Sequence, residues 1–217
     1  MIDLHTHTFF SDGELVPAEH LRRVEILGYS AVAITDHADS SNMDFIIPRI
    51  VKAAADLNRY SQTRLIPGIE LTHVPPQMFG ELVLKARELG ALIVVAHGET
   101  VMEPVRSGTN RAAIEAGVDI LSHPGFITEE DAQLAAERRV FLEITGRKGH
   151  SLTNGYVASL ANKVGALLAV NADAHGPGDF LTAGMAETVA LGAGISREGY
   201  AKIRKDMADL VVRVSRN

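Results

Sequence analysis

The chain of 217 residues contains no cysteine, so it has no disulfide framework, no thiol nucleophile and no thiolate metal site. Any metal it binds must be held through nitrogen and oxygen. Tryptophan is missing and aromatic residues make up 5% of the chain, which leaves little material for a base-stacking platform. No apolar run is long enough to cross a bilayer, and no membrane partner is expected. The opening residues Met1-Ile2-Asp3-Leu4-His5 lack the basic and apolar regions of a secretion signal, which makes a cytoplasmic location the expectation. Basic excess is absent too: 21 Lys and Arg stand against 27 Asp and Glu, a net charge of −6, and no stretch gathers the cations into a stripe. Long nucleic acid is therefore disfavoured as a partner. No Gly-x-Gly-x-x-Gly follows the first apolar run, which argues against dinucleotide binding.

What is present is a globular composition, 46% hydrophobic and 22% charged, with a recurring pattern. Apolar, β-branched-rich runs at 2–4, 31–35, 65–71, 92–96, 118–121, 140–144 and 167–170 read as strands. Segments of helical period lie between them, at 17–27, 45–57, 77–89, 110–116, 129–138, 154–164 and 181–191. Gly28, Gly90, Gly117 and Gly165 stand where helices should stop, and Thr128 before Glu129-Glu130-Asp131 resembles an N-cap with an acidic first turn. From the second run onward the strands recur at about one βα unit. That alternation calls for an α/β fold with a parallel sheet, open or closed into a barrel, in a single domain over 1–217. A last amphipathic helix at 196–214 should close the bottom or side.

Nine histidines stand out by position. His5 and His7 end the first strand, His37 follows the second, Glu70 lies in the third, His97 ends the fourth, His123 the fifth, and Asp173 and His175 the seventh. Residues i and i+2 of an extended chain point the same way, so His5 pairs with His7 and Asp173 with His175. If the barrel closes, these two pairs face each other. Taken singly, a strand-end histidine is an ordinary hydrogen-bonding residue, and Asp12 in Ser11-Asp12-Gly13 is an ordinary turn residue. Jointly, so many ionisable groups at one rim would repel and desolvate one another without a cation, which points to a polynuclear metal site.

Three histidines fit less well. His20 falls inside the first helix and should face solvent, while His73 in Thr72-His73-Val74 suits a rim role or a substrate contact equally. His150 ends the loop Thr145-Gly146-Arg147-Lys148-Gly149-His150, where two cations and two glycines suggest a phosphate seat. Glu143 is either a partner of a ligand histidine or a member of an ion pair in the barrel.

The motifs Asp3-Leu4-His5-Thr6-His7 with Ser11-Asp12-Gly13, Thr35-Asp36-His37, Gly68-Ile69-Glu70, Ala96-His97-Gly98, Ser122-His123-Pro124 and Asp173-Ala174-His175 resemble, in order, those of the polymerase and histidinol phosphatase (PHP) family of metal-dependent phosphoesterases. The resemblance spans essentially the whole chain and implies a distorted (β/α)7 TIM-like barrel. It implies that His5, His7, Glu70 and Asp173 hold one ion, that Glu70 bridges to a second held by His97 and His123, and that Asp12, His37 and His175 hold a third. The Arg147-Lys148 loop is similar to the phosphate-contacting part of the histidinol-phosphatase-like branch, and with His150 it is the expected substrate-binding segment.

On this reading the cofactors are two to three divalent transition-metal ions, with Zn, Mn or Fe better suited to His-rich ligation than Ca. Glu70, Asp173 and His175 take part in catalysis, and water activated between two ions attacks a small phosphomonoester such as histidinol phosphate. The alternative enzyme acts on a nucleotide or a 3′,5′-bisphosphate. A more distant alternative is a metal-stabilised binding domain without turnover. An amidohydrolase would want a bridging lysine where this chain offers Glu70. Glu99, His150 and His73 are all candidates for a general acid. Oligomeric state is not legible.

Overall fold

The computed structural model describes residues 1–216. Strands and helices alternate as β1 (Ile2–Asp3), α1 (Pro17–Ile26), β2 (Ala31–Ile34), β3 (His37–Ala38), α2 (Met43–Leu57), β4 (Arg64–Leu71), α3 (Phe79–Glu88), β5 (Ile93–His97) and α4 (Thr109–Ala116). They continue as β6 (Ile120–Ser122), α5 (Glu129–Arg138), β7 (Phe141–Thr145), α6 (Asn154–Val164), β8 (Leu168–Asn171), α7 (Ala183–Gly192) and α8 (Arg197–Val214). Every strand pairing is parallel, in the order β1-β2-β4-β5-β6-β7-β8, with β3 also on β4. β2 and β3 form one path interrupted at Thr35 and Asp36.

The sheet curls until its ends meet. Thr6 and Ala174 form a parallel bridge, His7 N–H donates to the Ala174 carbonyl at 2.8 Å, and Asp173 N–H donates to the His5 carbonyl at 3.1 Å. The result is a nearly closed (β/α)7 barrel of the TIM type. Burial follows from that architecture: all residues of β2 and β5 are buried, because one face lines the barrel and the other lies under helices. Ile34, Ile66, Ile69 and Val94 are fully buried, each contributing about 1.5–3 kcal/mol through its side chain.

Helix ends follow local chemistry. Thr128, Thr182 and Ser196 accept from the N–H groups of Asp131, Met185 and Gly199, capping α5, α7 and α8. α8 packs against β1, β8 and α7, burying Ile203, Met207, Leu210 and Val214. Gly98 shapes the opposite end: a Cβ there would land on the Ser122 carbonyl, so glycine lets the chain leaving β5 press against β6. That close approach leaves the rings of His97 and His123 4.5 Å apart.

Candidate metal centre

The strand ends that carry the histidines all open on one rim. Beyond β1, His5 and His7 point to the same side, with ring centroids 5.0 Å apart. Across the closure, Asp173 Oδ1 lies 3.2 Å from His7 Nε2 and 3.7 Å from His5 Nε2, and the His175 ring stacks on His7 at 4.1 Å. Glu70, fully buried in β4, sits at the centre. Its Oε1 lies 3.2 Å from His5 Nε2 and 4.0 Å from His123 Nε2, and its Oε2 lies 2.7 Å from His37 Nδ1 and 3.9 Å from His7 Nε2. Asp12 Oδ1 approaches His175 Nε2 at 3.2 Å and His37 Nε2 at 3.5 Å.

Among the described residues, four groups of donors are close enough to share an ion: His5, His7 and Glu70; His5, His123 and Asp173; His7, Asp12, His37 and His175; and His73, His97 and Glu103. The first gathers residues that the resemblance assigns to one ion, while the third joins Asp12, His37 and His175, assigned to another, with His7, assigned to the first. His97 is placed otherwise: its Nε2 faces Glu103 Oε2 at 3.3 Å, in a group with His73.

Surrounding residues hold these side chains in place. Glu143 Oε1 lies 2.8 Å from His5 Nδ1, and its Oε2 accepts from His123 N–H at 3.1 Å. That resolves its role as the partner that orients His5, the usual arrangement behind a metal-binding imidazole. Asp3, on the same face as His5, accepts from His5 N–H and Ala172 N–H and ties β1 to β8. Asp36 accepts from Thr8 N–H, Thr8 Oγ1 and Ser11 Oγ, fixing the loop that presents Asp12. Neither carboxylate belongs to the set read from sequence, although Asp3 continues the i, i+2 alternation of His5 and His7.

The electrostatics describe a centre in which buried groups of both kinds crowd one another. Burial pushes the Asp173 carboxyl up to about 7, with Glu70 and Glu143 adding to the effect against His5. Burial, then His37 and His5, holds the His7 imidazole well below the usual histidine range, and burial with His97 does the same to His123. Burial would lower His5 as well, but Glu143, Glu70 and Asp173 outweigh it and hold His5 well above. Four buried imidazole nitrogens here have no hydrogen-bond partner: His5 Nε2, both nitrogens of His7, and His123 Nδ1. Each such group costs about 1–3 kcal/mol if left unsatisfied. His123 and Asp173 are also held at φ 26° and 53°, a region that non-glycine residues rarely occupy. Nitrogen and oxygen donors, unpaired and crowded, fit divalent ions of the transition series.

The basic loop lies beside this centre. Arg147 Nη1 is 3.4 Å from Asp179 Oδ2, and that same oxygen accepts from His175 N–H and Gly176 N–H. Lys148 is exposed. The His150 ring is 4.4 Å from His123, and its Nδ1 meets Thr100 Oγ1 at 2.9 Å. His20 departs from expectation: it is buried in α1 with its ring edge-on to Phe180 at 4.9 Å, rather than facing solvent. Pro17, Leu21 and Val24 are buried on the same helix stripe, so helical spacing outweighed the polarity of the ring.

The model of the PHP domain family matches residues 3–124. This chain belongs to the PHP domain family. An uncharacterized protein of Methanocaldococcus jannaschii is 49% identical over 198 residues, covering 90% of this chain and 91% of that one. Ribonuclease P protein component 3 of Methanosarcina barkeri is 30% identical over 139 residues, 61% of this chain and 52% of that protein. Among solved structures, the "putative histidinol phosphatase" of Listeria monocytogenes shares the fold with a TM-score of 0.60 at 13% identity, covering 83% of this PHP chain and 97% of that chain. A. niger ochratoxinase reaches 0.56 at 15% identity, over 88% and 66%. At such identities these structures speak for the barrel alone.

Proposed function

We propose that this PHP domain hydrolyses a small phosphomonoester with the help of two to three divalent transition-metal ions, Zn, Mn or Fe. The observation that carries this reading is Glu70, a buried carboxylate with imidazoles from other segments on both oxygens. His5, His7, Asp12, His37, Glu70, His97, His123, Asp173 and His175 are the metal-holding set, with Glu70, Asp173 and His175 nearest the reacting phosphoryl group. Bound divalent ions would draw charge from phosphoryl oxygens and acidify a water molecule.

The chain's own part is positioning. Glu143, 2.8 Å from His5 Nδ1, holds the ring so that Nε2 faces the centre. Arg147 offers a planar fork to a phosphate that enters beside His175, with Lys148 and His150 completing the substrate loop. A histidinol-phosphate-like ester is the first choice of substrate, because a small dianion reaches the rim without lying along a surface of net charge −6.

The second reading is a nucleotide or 3′,5′-bisphosphate. It is favoured by the Methanosarcina relative, named for a ribonuclease, and by half-exposed Phe9 and Phe45, which follow His7 and His37 in the chain. Metal-reconstituted protein should be assayed on histidinol phosphate, mononucleotides, bisphosphates and a short oligonucleotide. The proposal expects monoester turnover that chelator abolishes, with Arg147→Ala raising KM about tenfold at unchanged metal content. Efficient oligonucleotide cleavage with weak monoester turnover would overturn the choice of substrate.

A further inference from the structure

Glu103 lies in the loop between β5 and α4, and three imidazoles converge on its carboxylate. Oε2 stands 2.9 Å from His73 Nε2 and 3.3 Å from His97 Nε2, while Oε1 stands 3.5 Å from His150 Nε2. The four residues come from separate places: beyond β4, the end of β5, the β5–α4 loop and the segment after β7. Nothing in the PHP motifs read from the sequence includes Glu103.

Proton placement makes the cluster chemically unusual. His97 Nδ1 faces the Gly98 carbonyl oxygen at 3.2 Å, and a carbonyl only accepts, so the proton of a neutral ring sits on Nδ1. Its Nε2 then turns a lone pair toward the Glu103 carboxylate, acceptor against acceptor. His150 also turns Nε2 toward Glu103, at 3.5 Å, while its Nδ1 meets Thr100 Oγ1 at 2.9 Å, a hydroxyl that can donate or accept. The His97–Glu103 pair therefore repels unless a cation stands between its two atoms.

The spacing supports a metal cation. Zn bonds of about 2.0–2.1 Å in a tetrahedron place neighbouring ligand atoms about 3.3–3.4 Å apart. The separations at Glu103 Oε2, 2.9 Å to His73 and 3.3 Å to His97, come near that value. The imidazole nitrogens of His73 and His97 and the carboxylate of Glu103 all lie within 4.8 Å of one another, a three-residue donor set suited to Zn or a similar borderline ion. We propose that His73, His97 and Glu103, with His150 beside them, form an additional divalent-metal site at the mouth of the barrel, distinct from the buried groups around Glu70.

Two consequences follow. With Nδ1 engaged by Gly98, His97 has one nitrogen to give, so an ion at the mouth draws it away from the set of Glu70 and His123. And because the side chains of His73 and Glu103 are 38% and 39% exposed, against 0% for Glu70, the mouth ion should exchange most readily. It goes beyond the proposed hydrolysis and does not depend on it.

The test compares full-length wild type, His73→Asn and Glu103→Gln, each stripped with chelator and titrated with Zn2+ by calorimetry, with elemental analysis after dialysis. Asn suits position 73, where φ is 54°, and circular dichroism with thermal melting checks that both variants fold. Each variant should bind one Zn2+ fewer than wild type, and the missing ion should be the weakest of the wild-type set. Retention of the full number by either variant overturns the site, leaving a cluster held by protons alone. Loss of more than one ion by either also overturns it, since these residues would then belong to the buried groups. Absence of phosphoesterase turnover would sink the proposed function and leave this count readable.

Discussion

At the N-terminal end of the strands, the buried carboxylate of Asp119 receives the guanidinium of Arg87, the Val94 N–H at 2.9 Å and Arg213 at 3.5 Å. At the C-terminal end, Glu70 and Asp173 are just as buried, yet among the described residues no Lys or Arg pairs with either; they face imidazoles. The difference is one of completeness. Asp119 is neutralised by permanent cations and its hydrogen bonds are made, as expected of a carboxylate that only supports the fold. The opposite rim leaves imidazole nitrogens unpaired and backbone strained at His123 and Asp173. Within one barrel, a carboxylate with its partners in place marks support, and a cluster of facing carboxylates and unpaired imidazoles marks a place for something to bind.

The largest effect should come from removing the group that the rim is built around. Glu70→Gln should lose at least one ion per chain and lower kcat/KM more than about 10²-fold, because even residues behind a ligand are worth 10–100-fold in affinity. Wild-type metal content and kinetics in this variant would mean that Glu70 is another supporting carboxylate, and the contrast with Asp119 would collapse.

A smaller effect sharpens the contrast between buried rings. Burial lowers His20 to about 4 from an ordinary 6.5. The unfolded chain therefore takes up its proton at a higher pH than the folded one, and stability should fall as pH drops from about 6.5 to 4. The loss approaches about 3 kcal/mol if the full shift holds. His20→Leu should flatten that part of the stability profile and keep the metal content. The difference between the two proteins isolates His20 from Asp3, whose carboxyl burial lifts to about 7 and which acts in the opposite direction. An unchanged acid limb would mean that His20 is protonated in the folded protein.

Smallest is the change at the base. Asp119→Asn should cost about 2 kcal/mol by thermal or urea unfolding, the scale of a hydrogen bond to a charged group. Metal content and KM should stay as in wild type. A loss of bound metal would show that the two ends of the barrel are coupled.

The barrel itself was largely legible. α5 and α6 lie at the positions that their period and caps predict, and all seven expected strands form, because Val- and Ile-rich runs buried on both faces have few other uses. The break between β2 and β3 was not, since it depends on Asp36 reaching across to Thr8 and Ser11. Within the site, residues at strand ends were legible because alternation fixes where they point. Glu103 was not: it stands in a loop without period, and only the folded β5–α4 connection brings it to His73, His97 and His150. His20 misled in the opposite sense, because a polar ring on a buried stripe carries no sequence sign of its burial. Glu143 was open between two roles until the closure of the barrel put it 2.8 Å from His5.

The central claim is that the rim is a metal centre rather than a cluster of mutually paired acids and imidazoles. Elemental analysis of protein purified without chelator, then stripped and reconstituted with Zn, Mn or Fe, tests it most directly. The account predicts two or more ions per chain, lost on stripping and regained on reconstitution. A reproducible content below one ion, with no gain on reconstitution, would contradict it.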